Sequence, residues 1–208
     1  MTDAGGPLLV VIAGHNGAGK STCYRVYLRE FLEQRIEEHI DPDAIEREIR
    51  SSWLGAPLTD KAFSELARNE ADGMRKALLA NGVSFSMETV FSDPVGDKLG
   101  FIEEAMRRGY FVVLLGVGLD SPQKSMERVA LRVAAGGHNV PQAKIEERYP
   151  RVIANLQVGV HIVSLALLVD NSNDNLEDDD GAYFAFAIFS NGTLVEAATE
   201  LPEWWPQT

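Results

Sequence analysis

The sequence predicts an α/β fold: a mostly parallel sheet flanked by helices, with a helical lid and a C-terminal antiparallel hairpin. Three observations predict it. Short unbroken apolar runs, LLVVIA at 8–13 and YFVVLLGVGL at 110–119, read as strands buried on both faces. They alternate with longer segments whose apolar residues recur at helical spacing, which is the signature of a sheet covered by helices. Near the end, AYFAFAIFSNGTLVEAA at 182–198 has Asn191-Gly192 between two β-rich halves, a hairpin turn that adds antiparallel strands to one edge.

In order, the first run (8–13) enters a glycine-rich turn, and after Lys20 the residues Tyr24, Tyr27 or Leu28, and Phe31 or Leu32 recur as on a helix. Asp41 to Arg50, DPDAIEREIR, starts with a turn and continues as a helix. The stretch LTDKAFSELARNEADGMRKALLANG carries Phe63, Leu66, Ala67, Met74, Ala77 and Leu78 on one face and stops at Asn81-Gly82. VSFSM at 83–87 alternates as a strand does and leads into Glu88-Thr89. Asp97 to Arg108 is amphipathic and ends at Gly109. Ser121-Pro122 opens a basic helix, and AAGGHNVP at 134–141 separates it from a second, which Pro150 is expected to bend or restart. SLALLVDNS at 164–172 is a further strand.

The chain has 208 residues, a net charge of −12, 45% hydrophobic and 24% charged residues, enough for one domain with a substantial core. That charge argues against a nucleic-acid partner, since most of the surface would repel a phosphate polymer. No apolar run approaches the ~20 residues that cross a bilayer, and MTDAGGP has no basic n-region. With Cys23 as the single cysteine, no internal disulfide forms, so the expectation is a cytoplasmic protein without a membrane partner. Cys23 itself reads as a small buried helix residue. The loop NSNDNLEDDDG holds five acids at a spacing that fits no calcium loop and reads as a solvated hairpin tip. Trp53, Trp204 and Trp205 read as packing residues rather than a base-stacking platform.

GHNGAGKST, Gly14 to Thr22, fits G-x-x-x-x-G-K-[ST] between a strand and a helix. Gly14, Gly17 and Gly19 let the backbone, with His15, Asn16 and Ala18 as the variable loop positions, wrap phosphate oxygens with amide N–H groups. Lys20 reaches the β- and γ-phosphates, Ser21 is placed for Mg²⁺, and Thr22 closes the motif. The motif implies ATP or a related triphosphate, but does not choose between ATPase, kinase and switch. Asp41 and Asp43 follow the first helix, where a carboxylate takes a proton from an attacking hydroxyl, or caps a helix instead. Glu88 ends a strand entering the same cleft, where it holds Mg²⁺ through water or orients an acceptor. Lys124, Arg128 and Arg132 line one helical face, and Lys144, Arg148 and Arg151 follow. From Ser121 to Arg151 there are six Lys/Arg and three Asp/Glu, a local charge of +3 that suits a lid closing on a triphosphate.

GHNGAGKST, IDPDAIERE, FSMETVFS, GYFVVLLGVGLDSP, RVALRVAAGGHNVP and IEERYPRVIANL, in this order, resemble the zeta-toxin-like P-loop kinases, closest to a bacterial branch labelled predicted ABC-type ATPases. No LSGGQ-like signature supports the ABC label. The resemblance runs over roughly residues 8 to 160 and implies a P-loop NTPase core of the kinase type with the lid at about 121–151. It implies ATP and Mg²⁺, Asp43 as base, Glu88 as acceptor-holding residue, and Arg132 and Arg148 as the phosphate-binding arginines, with Arg128 the rival for the first. Well-known members phosphorylate a hydroxyl of UDP-N-acetylglucosamine and pair with an antitoxin protein. A UDP-N-acetyl sugar is therefore the first candidate acceptor. The rivals are another small-molecule kinase on the same core and a nucleotide switch that docks a protein.

Overall fold

The structure is a computed structural model that describes residues 5–32, 34–94, 96–137, 139–173 and 183–206. The acidic 174–180 stretch lies outside the described residues.

Seven strands form one sheet in the order β2-β3-β1-β4-β5-β6-β7. They are β1 (Leu8–Gly14), β2 (Glu38–Ile40), β3 (Phe85–Thr89), β4 (Phe111–Gly118), β5 (Leu165–Asp170), β6 (Phe184–Ser190) and β7 (Thr193–Ala197). The first five pair in parallel, and β6 and β7 add antiparallel at the β5 edge. The hairpin turn has Asn191 and Gly192 both at positive φ, as its sequence requires.

Strand periodicity sorts the core into two halves. Leu9, Val11 and Ala13 of β1 join Phe85, Met87, Val112 and Leu114 on one face. That face is covered by α4 (Asp60–Ala80), α5 (Asp97–Arg107) and α7 (Gln142–Ile162), which supply Ala71, Leu79, Ile102, Ala105, Leu156 and Val160. Leu8, Val10 and Ile12 face the other way with Leu115 and Val117, against Ala18, Cys23, Tyr24 and Leu28 of the segment that follows β1. Each fully buried aliphatic or aromatic side chain contributes about 1.5–3 kcal/mol. In β3 the same alternation sends Phe85 and Met87 to the larger cluster and leaves Ser86 and Glu88 on the face beneath the post-β1 helix.

That helix is a composite of α1 (Lys20–Cys23), a π-helical turn (Tyr24–Leu28) and α2 (Arg29–Leu32). α3 (Pro42–Ser52) starts on Asp41, whose Oδ1 accepts from the Asp43 amide at 2.9 Å. α6 (Pro122–Ala134) starts on Ser121, with Pro122 in its first turn. α6 and α7 close on their own small cluster of Val129, Val140, Ile145 and Met126.

Pro150 does not restart α7, which continues through it. Proline removes one ladder donor. Beside the gap the Arg151 Nε donates to the Glu147 carbonyl at 3.2 Å, and Val152, Leu156 and Val160 hold the following turns in the core.

Candidate nucleotide and phosphoryl-transfer site

The glycine turn after β1 is tight because three backbones meet there. A Cβ at Gly14 would stand 2.0 Å from the Val117 carbonyl oxygen. Gly17 and Gly19 hold φ of 72° and 82°, the left-handed region that L side chains resist. The Lys20 ammonium donates to the Gly14 and His15 carbonyls at 3.1 and 2.9 Å. Burial lowers its pKa, and Arg132 adds to that, against the opposing charges of Glu88, Asp43 and Asp41. Lys20, these acids and Arg132 therefore share one electrostatic neighbourhood.

The loop is held from outside. The Asn171 amide donates to the Ala18 carbonyl at 2.9 Å, the Tyr183 hydroxyl to the Gly19 carbonyl at 2.8 Å, and the Ser125 hydroxyl to the Asn16 carbonyl. His15 is 2% exposed. Its ring stacks on Tyr149 at 4.3 Å and meets the edge of Trp204 at 6.0 Å. Its Nδ1 accepts from the Leu119 amide at 3.3 Å. Burial, then the Lys20 charge, pushes its pKa down to about 3, so His15 is a neutral brace. Nothing in the residue pattern points to this brace. His15 occupies a variable motif position, and its partners come from β4, α7 and the C-terminal stretch.

The acidic side is built by β3 and the start of α3. Glu88, read from sequence as the end of an exposed or cleft-facing strand, is 5% exposed. Its Oε2 accepts from the Ser21 hydroxyl at 2.8 Å, and its Oε1, buried, makes no hydrogen bond. Asp41 has its pKa raised by burial, then by the charges of Glu88 and Asp43. Because Asp41 caps α3, Asp43 keeps its carboxylate free of capping. Asp43 Oδ2 instead accepts from Arg132 Nη1 at 3.2 Å.

On the basic face of α6 and α7, Arg132 reaches Asp43. Arg148 lies beside the loop, 3.5 Å from Asn16 Oδ1, with its pKa lowered by burial and then by Arg68 and Arg151. Arg128 turns toward the Asn173 carbonyl, also at 3.5 Å. Lys124 is tied to the Ser172 carbonyl and to Asp120, and Arg151 to Glu147 at 2.8 Å. Trp205 and Trp204 are buried, and Trp204 Nε1 donates to Asp170 Oδ1 at 2.7 Å. Cys23 is buried, its thiol pushed up to about 12 by burial and by Glu88.

These residues suit a triphosphate with Mg²⁺. The first amides of the helix beginning at Lys20 precede any helical acceptor and face the glycine turn. Ser21 can give its proton to Glu88 while its oxygen keeps lone pairs for a metal. Among the described residues no group of three or more His, Cys, Asp or Glu is arranged to hold a metal.

A parallel core whose phosphate loop follows β1, with β3 and its carboxylate next to that strand, defines a P-loop kinase-like protein. The family model described as zeta toxin matches residues 1–175, and the chain belongs to that family. Similar solved structures include the AvrRxo1-ORF1:-ORF2 complex with ATP, 17% identical with a TM-score of 0.70, covering 92% of this chain and 60% of the matched one. Another is the PezAT chromosomal toxin–antitoxin system of Streptococcus pneumoniae, 17% identical with a TM-score of 0.59, covering 79% of this chain and 68% of that one. This chain thus spans about three fifths of the AvrRxo1 complex chain it matches. An uncharacterized protein of Haemophilus influenzae is 26% identical over 140 residues, 67% of this chain and 91% of that protein.

Proposed function

We propose that the protein is an ATP-dependent phosphotransferase that moves the γ-phosphate to a hydroxyl of a small acceptor, with a UDP-N-acetyl sugar as the first acceptor to test. The observation that carries this reading is the Arg132–Asp43 contact at 3.2 Å. It puts a lid guanidinium, made for phosphoryl charge, against a carboxylate made for a hydroxyl proton. A switch that only binds nucleotide needs no such carboxylate. Family membership supports the same reading.

In this reading Gly14, His15, Asn16, Gly17, Ala18, Gly19, Lys20, Ser21 and Thr22 form the phosphate cradle. His15 and Asn16 act through the loop's shape. Lys20 sits at the β- and γ-phosphates. Ser21, its hydroxyl donating to Glu88, would hold Mg²⁺, and the metal would supply charge neutralisation at the phosphates. Asp43 accepts the acceptor's proton as the hydroxyl oxygen forms its bond to γ-phosphorus. The bond from γ-phosphorus to the bridging oxygen breaks, and ADP leaves. Arg132 and Arg148 stabilise the three equatorial oxygens in flight, with Arg128 the rival for the first. Arrival of the phosphate draws Arg132 from Asp43 and so frees the base. We place the whole chain in one domain whose lid spans about 121–151. We assign it to the cytoplasm. An antitoxin-like protein partner is proposed on the example of the PezAT toxin–antitoxin system.

The test is Asp43→Ala, assayed for transfer of labelled γ-phosphate to a panel of nucleotide sugars and other hydroxylated metabolites. Transfer is abolished while ATP still binds. Near-normal transfer by the variant would show that Asp43 is not the base.

A further inference from the structure

β2 delivers one residue whose role the phosphoryl-transfer reading leaves unexplained. His39 pairs in register with Ser86 of β3, so its side chain lies on the same sheet face as Ser86 and Glu88. Its Nδ1 is 2.7 Å from the Ser86 hydroxyl, and its Nε2 is 3.4 Å from Glu88 Oε1. That oxygen is buried and makes no hydrogen bond, while its sister accepts from Ser21. On its other side the imidazole is stacked flat on Tyr24, centroids 4.0 Å apart and planes 5° from parallel. Tyr24 opens the π-helical turn in the phosphate-loop helix. Such a turn in an otherwise α-helical segment recurs at functional sites because it re-aims side chains.

The tautomer follows from the partners. A buried serine hydroxyl has one proton to give, and Nδ1 is the acceptor within reach. Nε2 then carries the ring proton and stands 3.4 Å from the bare oxygen of Glu88, close enough for charge attraction though not a formed hydrogen bond. A carboxylate facing a protonated nitrogen on one side and a serine hydroxyl on the other has one favoured orientation.

We infer that His39 is a positioning residue for Glu88. It holds the carboxylate in the rotamer that takes the Ser21 proton, and so sets the Ser21 oxygen for Mg²⁺. His39 acts through Glu88 in this arrangement. This rests on the proposed roles of Ser21 and Glu88. Partners that orient a metal-binding group typically alter metal affinity by about 10–100-fold when removed.

The experiment is calorimetric titration of the full chain with ATP, with and without Mg²⁺. Wild type binds ATP more tightly with Mg²⁺. His39→Ala keeps the Mg²⁺-free affinity and loses about tenfold or more of the Mg²⁺-dependent gain. His39→Gln, whose amide reaches the Nε2 position, restores most of it. His39→Asn, whose amide stops at the Nδ1 position, does not. If wild type shows no Mg²⁺ gain, the Ser21–Glu88 reading itself falls. If the gain is present and His39→Ala keeps it whole, or Asn rescues as well as Gln, the His39 assignment is overturned. A second readout needs no His39 variant. The His39 ring ¹⁵N shifts move in Glu88→Gln and stay fixed in Glu38→Gln, and shifts indifferent to Glu88→Gln overturn the proposal.

Discussion

Replacing Arg132 by alanine separates the site's chemistry from its stability. The pair with Asp43 spans 3.2 Å, but the two side chains are 35% and 47% exposed. Water screens such a pair to about 0–1 kcal/mol, and Asp43 rehydrates when its partner leaves. In a chain of this size about 1 kcal/mol moves the melting temperature by about 2–4 °C, so the melt of Arg132→Ala falls by no more than about 4 °C. Transfer responds on a different scale. An arginine that stabilises the moving phosphoryl group is worth about 10³–10⁵ in rate, or about 4–7 kcal/mol of barrier. The assay pair is a thermal melt beside initial rates of γ-phosphate transfer with Mg²⁺ and ATP saturating. Transfer within about tenfold of wild type refutes the role of Arg132 in the reaction. A melt lowered far beyond about 4 °C refutes the claim that the pair contributes little to the fold.

Three further outcomes follow from the phosphate loop and its helix. His15 is held neutral with its pKa near 3, while in the unfolded chain it binds a proton below about pH 6.5. The unfolded state thus carries more protons between those values, and stability falls as pH falls through that window. From pH 7 to pH 5 this costs about 2 kcal/mol, read as the change in urea unfolding free energy of wild type over that of His15→Phe. Asp41, whose pKa is raised, works in the opposite sense in both proteins, and equal pH slopes would contradict the burial of a neutral imidazole. Gly19→Ala forces an L residue to φ 82° and sets a Cβ 2.4 Å from the Tyr183 hydroxyl and 2.7 Å from the Asn171 amide. Strain plus two displaced hydrogen bonds sums to about 3 kcal/mol, a melting temperature lower by about 6–12 °C, and an unchanged melt contradicts the close approach. Cys23, with its thiol near 12, stays unlabelled by a thiol-reactive disulfide at pH 8 until the protein unfolds, and rapid labelling of the native chain contradicts its burial.

The phosphate loop was legible because its spacing encodes a backbone shape, and Lys20, Ser21 and the glycines stand where that shape requires. β1, β3, β4 and the β6–β7 hairpin were legible from apolar runs, alternation and the Asn-Gly turn. β2 was not, since three residues carry no period and only pairing with β3 defines them. His39 was hidden with it. The two aspartates looked alike in spacing, the resemblance alone favoured Asp43, and the bond from the Asp43 amide shows that Asp41 is the cap. Arg128 and Arg132 share a helical face, so sequence left them as rivals. One turn of helix decides between a carbonyl at 173 and a carboxylate at 43. Pro150 does not restart the helix because one lost bond weighs less than the core contacts of Val152 and Leu156 on the following turns.

The indole of Trp204 lies over Gly118 so closely that any β-carbon at 118 would stand 2.0 Å from it. The two positions behave as a lock and its key. A bulkier residue at 118 evicts the indole, loosens its grip on Asp170 and removes one wall from His15, whereas a trimmed side chain at 204 tolerates the bulk. Changes at these two sites, 86 residues apart in the chain, are therefore tolerated together and punished singly.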